Sequence, residues 1–512
     1  MLEIKNISLI LNKNNRPLVK NLSFVLSEGD KAAIIGEEGN GKSTLLKFIY
    51  DKKRIENYCH YEGTITKNNY KIGYLEQFLD SKWNDQPVSN YFLKELPDDE
   101  IDYEKYNLFG DVIKCISKMG LSEKILGDDY LISYLSGGEK VKLQLCKLLV
   151  QESDILLLDE PTNDLDIETL KWLEDFINST KKPILFVSHD EMLLENTANT
   201  IIHLEQLKKK SDATHTIAKM GYDEYVQNRL RKIDTQNQQA SNEHRNYKAE
   251  IKTLKEIKQK VQRANPGRTN RMNSLLAQEK KLNEKELTHK ADVEEAIIIR
   301  FNEDILMPNG KTVLDLKLDK LTVESTLLSK NISLFVSGPD HIVIVSKNGA
   351  GKTTLIKYIY QILKDREDIK LGYMPQNYDD VLDLNQRAAD YLKDGGLKEN
   401  DVRAFMGNMK FTSNEMLSLI KNLSGGQKAK LLLLKMILKN CNVLLLDEPT
   451  RNLSPLSNPV IRNILTNYKG AIISVSHDRK YIKEVCDKAY YLDNNGLKQI
   501  TIEDALTGIP PK

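Results

Sequence analysis

Short apolar runs of four or five residues recur along this chain, and they come in matched pairs. Lys31-Ala-Ala-Ile-Ile35 and His341-Ile-Val-Ile-Val345 each precede a glycine-rich stretch, while Ile155–Leu158, Ile184–Val187, Val443–Leu446 and Ala471–Val475 add further runs. Runs this short and this rich in branched side chains predict strands buried on both faces of a largely parallel sheet. Leu45–Tyr50 and Leu355–Leu363 read as helices, so the pattern is α/β and occurs twice. The N-terminal Met1-Leu-Glu-Ile-Lys5 reads as a strand, not as a basic-then-apolar leader. No uninterrupted apolar run approaches the roughly 18–20 residues of a membrane helix.

A different periodicity occupies residues 223–292. Val226, Leu230, Ile233, Ala240, Tyr247, Ile251, Leu254 and Val261 follow heptad spacing, with Asn237, His244 and Lys258 at the polar steps. Met272, Leu275, Leu276, Leu282 and Leu287 continue it less regularly beyond Pro266-Gly267. This predicts an antiparallel helical hairpin turning at Pro266-Gly267. A first helix of about 38 residues would span about 55 Å, more than a simple connector needs. The expected organisation is α/β: two tandem nucleotide-binding domains, 1–222 and 293–512, joined by a helical hairpin at 223–292.

Charge sharpens that division. The 512 residues carry 74 Lys/Arg and 73 Asp/Glu, a net of +1, so any attraction to nucleic acid must be local. Glu224–Lys290 holds 16 Lys/Arg and 8 Asp/Glu, a net of +8 that leaves −7 for the rest. Five cysteines (Cys59, Cys115, Cys146, Cys441, Cys486) are scattered without CxxC spacing. Neither a disulfide framework nor a zinc site is expected, and a reducing cytoplasm is the expected setting.

Five short motifs recur in one order. The first set is Gly36-Glu37-Glu38-Gly39-Asn40-Gly41-Lys42-Ser43-Thr44, Gln77, Ser136-Gly137-Gly138-Glu139, Asp159-Glu160 and Ser188-His189-Asp190. The second is Ser346-Lys347-Asn348-Gly349-Ala350-Gly351-Lys352-Thr353-Thr354, Gln376, Ser424-Gly425-Gly426-Gln427, Asp447-Glu448 and Ser476-His477-Asp478. From signature serine to histidine the copies stay 288 residues apart, whereas the loop lysines are 310 apart and the glutamines 299. The excess in the first half reads as loop variation.

The glycine loops suit phosphate: backbone N–H groups point inward, Lys42 and Lys352 neutralise β/γ-phosphates, and Ser43 and Thr353 ligate Mg²⁺. Asp159 and Asp447 end apolar strands and would hold Mg²⁺, with Gln77 and Gln376 lining the cation and its water. Glu160 and Glu448 are placed to take a proton from an attacking water, and His189 and His477 to contact the γ-phosphate. Each Ser-Gly-Gly is a second anion cradle, too distant from its own loop and therefore expected to serve the opposite domain.

These motifs resemble the Walker A, Q-loop, signature, Walker B and switch histidine of ABC ATPases. The paired domains, basic hairpin and absence of membrane spans resemble the ABC-F family. That resemblance implies a cytoplasmic ATPase using ATP and Mg²⁺, with cassettes closing head to tail inside one monomer. Lys42 would share one ATP with Ser424, Gly425 and Gly426, and Lys352 another with Ser136, Gly137 and Gly138. It also implies ribosome binding at the tRNA exit site, with the hairpin directed to the peptidyl-transferase centre. Arg263, Asn265, Pro266, Gly267, Arg268 and Arg271 would meet rRNA or tRNA, in antibiotic-resistance ribosomal protection or as a translation factor.

The chain departs from the family in three places. Ser346 replaces the first loop glycine. The family's Thr-Asn-His-Leu-Asp after Walker B becomes Thr162-Asn163-Asp164-Leu165-Asp166 and Thr450-Arg451-Asn452-Leu453-Ser454. Lys13 stands where an adenine-stacking aromatic is expected. Two other readings fit twin cassettes. One is the dual ATPase subunit of an importer with a separate permease, whose connector is not expected to be a long basic hairpin. The other is a coiled-coil DNA-repair ATPase, whose coil interrupts a cassette.

Overall fold

The computed structural model describes residues 1–67, 69–207, 212–264, 270–284, 288, 297, 299–302, 307–323, 326–393 and 398–508. These fall into two compact units, one joining Met1–Tyr222 with Glu294–Lys512 and the other spanning Asp223–Val293.

In the first half of the larger unit the strands are β1 (Leu2–Leu11), β2 (Pro17–Leu26), β3 (Lys31–Ile35), β4 (Cys59–Thr66), β5 (Ile72–Leu75), β6 (Ile155–Asp159), β7 (Ile184–Val187), β8 (Thr200–Leu207) and β9 (Asp212–Ala218). They form a six-stranded sheet in the order β5-β6-β7-β3-β8-β9 and a three-stranded antiparallel sheet, β2-β1-β4. The second half repeats the plan with β10 (Thr312–Val323), β11 (Thr326–Ser337), β12 (His341–Val345), β13 (Leu371–Met374), β14 (Val443–Asp447), β15 (Ala471–Val475), β16 (Lys488–Asp493) and β17 (Gly496–Ile500). Its large sheet runs β13-β14-β15-β12-β16-β17, beside a β10-β11 hairpin.

Every residue of β3, β6, β12 and β14 is buried, as expected of strands covered on both faces. Each Val, Leu or Ile side chain among them contributes about 1.5–3 kcal/mol by leaving water. Pairing is parallel except at the last strand of each large sheet. Because β6, β7 and β3 are parallel neighbours, their carboxyl ends lie together. The glycine loop after β3, Asp159-Glu160 after β6 and His189 after β7 therefore converge without being close in sequence, as ligand-binding loops do in open α/β sheets. The stretch between Gln77 and Ser136 carries a 3-10 turn at Tyr103–Leu108 before the helix Phe109–Lys118, whose counterpart in the second half is Glu399–Asn408, so the longer first half adds an ordered turn as well as loop.

The smaller unit is the expected antiparallel hairpin. Its first helix, Tyr222–Ala264, has 43 residues, or about 65 Å. Asn270–Asn283 returns against it, and the cross-contacts run in opposite directions along the two helices. Lys258 Nζ meets Glu279 (2.5 Å), Tyr247 OH meets Asn283 (2.9 Å) and Glu243 accepts from Thr288 N (2.8 Å). Ala240 and Leu275 are the buried residues of the seam. One polar step differs from the sequence reading: Glu243 is half-buried and bonded, while His244 is exposed. Leu276 likewise faces outward, and Leu287 lies outside the described residues.

Candidate active site

Gly41 and Gly351 cap the helices Lys42–Tyr50 and Lys352–Leu363 at φ 91° and 97°, a left-handed conformation that glycine adopts without steric cost. In the first loop Lys42 Nζ donates to Gly36 O (2.7 Å) and Glu37 O (3.1 Å). Ser43 Oγ donates to Asp159 Oδ1 (2.9 Å), and Tyr74 OH to Asp159 Oδ2 (3.2 Å). Burial pushes Asp159 up to about 6, against the pull of the Ser43 hydrogen bond. His189 Nε2 lies 3.0 Å from Glu160 Oε1, and His189 N donates to Glu160 Oε2 (3.2 Å). Burial alone would raise Glu160, but the charge and hydrogen bonds of His189, with Lys42, outweigh it and hold it below its ordinary value.

The second site has the same plan and different electrostatics. Ser346 accepts from Lys352 Nζ through Oγ (3.1 Å) and O (3.3 Å), so the hydroxyl replacing the first glycine faces the loop lysine. In the first loop that position, Gly36, has φ 141°, and a Cβ there would meet Leu204 O at 2.3 Å. His477 N donates to Glu448 Oε2 (3.2 Å), but His477 Nε2 stands 4.0 Å from Glu448 Oε1. Burial and the neighbouring Asp447 push Glu448 up to about 8, and burial beside Lys352 drives His477 well below its ordinary value. Both glutamates occupy left-handed backbone, Glu160 at φ 52° and Glu448 at φ 53°. A non-glycine residue held there is strained by about 1–3 kcal/mol, a recurrent mark of functional positions.

Each Ser-Gly-Gly begins a helix through a reciprocal capping box: Ser136 with Glu139, and Ser424 with Gln427. Both reach the opposite cassette. Gly426 N donates to Glu38 Oε2 (2.6 Å), and a Cβ on Gly138 would meet the Asn348 side chain at 2.4 Å. Asn348 itself donates to Asp164 O (2.5 Å). A cavity of 790 Å³ is lined by Ser136, Gly137, Gly138, Asn348, Gly349, Gly351, Lys352, Thr353, Thr354, Gln376, Asp447, Glu448 and His477. Its counterpart is a cleft of 30 Å³ lined by Glu37, Glu38, Ser424 and Gly426. Lys42, Ser43, Thr44, Gln77 and Asp159 do not line that cleft, and Lys347 and Ala350 do not line the larger cavity. Lys347 instead pairs with Glu168 of the first cassette (2.8 Å). Gly39 O accepts from Arg16 (3.0 Å), and Asn40 donates to Leu204 O (3.0 Å). Gly425 rests against Asn452.

Three contributors were not anticipated from sequence. Arg16, not the exposed Lys13, lies against the first loop and also binds Gln206 (2.8 Å). The two departures after Walker B meet each other: Arg451 Nη2 lies 2.9 Å from Asp164 Oδ1, across the cassettes. His189 Nδ1 lies 2.6 Å from Leu453 O, tying one switch histidine to the other cassette. Ser454 bonds Ser457 N (3.2 Å), turning the chain into the helix Asn458–Thr466 much as Asp166 caps Ile167–Ser179. The family's residue types at these positions were in view, but only tertiary pairing reveals the partners. Of the hairpin tip, Asn265, Pro266, Gly267 and Arg268 lie outside the described residues, and Arg263 and Arg271 are exposed near the helix ends.

The family model described as ABC transporter matches residues 19–163 and 329–451. The ATP-binding protein Uup of Buchnera aphidicola is 32% identical over 97% of this chain and 81% of its own length. The ribosome protection protein VmlR of Bacillus subtilis is 27% identical over 95% of this chain and 86% of its own. An archaeal ribosome recycling factor, solved in complex with a ribosomal stalk protein, shares the fold at a TM-score of 0.62 and 16% identity, covering 97% of this chain and 90% of that one. No helix among the described residues is long and apolar enough to cross a membrane. The chain belongs to the ABC transporter family, as a twin-cassette ATPase of the ABC-F type.

Proposed function

We propose that this ATPase binds ribosomes in its ATP-bound state at the tRNA exit site. The basic hairpin at 223–292, set between cassettes 1–222 and 293–512, would be directed to the peptidyl-transferase centre. Ribosomal protection against an antibiotic, or a translation-factor role, is its work, in the cytoplasm. The observation that carries this reading is the hairpin: 43 residues of continuous first helix in a segment of net +8, which phosphate-rich RNA would attract. The relative named as a ribosome protection protein, alike over nearly the whole chain, supports it.

In this reading each ATP lies between one glycine loop and the opposite signature. Lys42 and Lys352 hold phosphate oxygens, while Ser424–Gly426 and Ser136–Gly138 present hydroxyl and amide donors. Asp447 Oδ2 is a buried oxygen without a hydrogen-bond partner, and Thr353 and Gln376 line the same cavity. An all-oxygen set of this kind suits Mg²⁺, with Ser43, Asp159 and Gln77 as counterparts in the first cassette. The metal would offset phosphate charge. Glu160 and Glu448 would accept the proton of the attacking water, and His189 and His477 would contact the γ-phosphate.

The test is the double substitution Glu160→Gln, Glu448→Gln, followed by co-sedimentation with 70S ribosomes. ATP-dependent binding is expected. Absence of binding with ATP affinity intact overturns the proposal.

A further inference from the structure

The helices Ile167–Ser179 and Glu191–Thr197 of the first cassette meet Asn458–Thr466 and Arg479–Val485 of the second through buried charges with a consistent sign rule. Arg462 binds Glu191 through both terminal nitrogens, and Arg479 binds Glu174. All four side chains are buried, at 2%, 5%, 3% and 8% exposure for Arg462, Glu191, Arg479 and Glu174. Lys480 adds contacts to Glu191 (3.4 Å) and Glu195, and Arg479 also approaches Asp190 (3.5 Å). Every cation comes from the second cassette and every anion it meets across this face comes from the first.

The 288-residue repeat turns this into a symmetry statement. Adding 288 to Glu174 gives Arg462, and adding 288 to Glu191 gives Arg479. The two ion pairs are thus one contact made twice about a pseudo-two-fold axis, with the sign inverted between the copies. The supporting residue inverts as well. Glu174 accepts from Asn196 (3.0 Å), whereas at the equivalent position Glu484 accepts from Arg462 (2.7 Å).

We propose that this charge partition specifies the partner of each cassette: a first cassette accepts only a second, and neither accepts its own kind. Two first cassettes in this geometry would bury Glu174 against Glu191 twice, and two second cassettes Arg462 against Arg479 twice. Like charges taken out of water against each other are strongly unfavourable, and arrangements of this kind discriminate between otherwise similar partners. The contact joins the two cassettes of one chain, so the proposal concerns their pairing whatever the cellular role.

The experiment uses full-length chains. One carries Glu174→Arg and Glu191→Arg, making both cassette faces basic; the other carries Arg462→Glu and Arg479→Glu, making both acidic. Each by itself is expected to lose at least tenfold in ATPase activity. Mixed in equal amounts, they are expected to recover activity and run at twice the monomer mass in light scattering. A third chain exchanges the whole cluster between the cassettes, Glu174→Arg, Glu191→Arg, Met192→Lys, Glu195→Lys, Asn196→Glu, Arg462→Glu, Arg479→Glu, Lys480→Met, Lys483→Glu and Glu484→Asn, and is expected to be an active monomer. The third chain also covers the case in which the two-site variants do not fold, since its recovery of fold and activity supports the proposal. Wild-type activity and mass in both two-site variants overturn the proposal. So does an exchanged chain that stays inactive, or a mixture of folded two-site variants that fails to recover.

Discussion

Glu160 and Glu448 share a strained backbone and a position after Walker B, yet their environments pull their acidities apart. His189 sits against Glu160, while His477 has withdrawn to 4.0 Å from Glu448, which burial and Asp447 push up to about 8. Replacing both by glutamine should lower steady-state hydrolysis by about 10²–10⁴-fold, the usual range for a general base, while filter binding still detects ATP. Glu38 is the second informative residue, because its carboxylate occupies the amide of the opposing signature at 2.6 Å. A phosphate approaching that cradle meets a like charge. Glu38→Asn should therefore tighten ATP binding at the Lys42 site by about tenfold, about 1.4 kcal/mol, measured by titration in a background where Lys352 is replaced. At this scale the candidate residues were legible because their chemistry recurs twice in one order. Glu38 was named as a loop residue, but nothing in its own neighbourhood of sequence indicates that it faces Gly426.

Helices and strands obey their local patterns closely, and the exceptions are instructive. The apolar runs became strands with both faces covered, and part of the heptad stripe became the hairpin seam, with Leu230 left exposed. The step at Glu243 in place of His244 has a simple cause. A straight helix of 3.6 residues per turn drifts against a strict 3.5-residue repeat, so the partner helix decides which of two adjacent polar residues turns inward. Leu275→Ala should loosen this hairpin by about 2 kcal/mol, at the low end for a buried leucine, seen as faster amide exchange across Asn270–Asn283. On the signature helix Gly137–Val150, Lys147 lies over Tyr91 (4.3 Å) and donates to Lys94 O (3.0 Å). Burial lowers its pKa to about 8 from 10.5. Between those values the unfolded chain binds the extra proton, so stability from this group rises with pH. The melting temperature of the wild type relative to Lys147→Met should thus increase from pH 8 to pH 10.5, in scanning calorimetry.

Across the whole molecule, the surroundings of the two glycine loops are joined by contacts that cross between cassettes. Arg451 and Asp164 form a half-buried pair beside the larger cavity, and His189 reaches Leu453 O. Arg451→Ala and Asp164→Ala should each weaken cooperativity in ATP hydrolysis. Together they should be non-additive by about 0.5–1.5 kcal/mol in a double-mutant cycle, as expected of residues in contact. The buried Arg462–Glu191 and Arg479–Glu174 pairs add a second set of contacts between the cassettes.

The motif order, the strand and helix types, the hairpin and its basic charge are all consequences of local pattern, because period and residue type act over a few neighbours. Two sites of unlike acidity, the meeting of Arg451 with Asp164, Glu38 in the opposing cradle and the sign rule at Glu174, Glu191, Arg462 and Arg479 are not. Each depends on which surfaces face each other across hundreds of residues of chain, and on how far water is excluded there. The repeat carried the equivalence of the halves and the opposite charges at equivalent positions; only their packing decided that those positions meet.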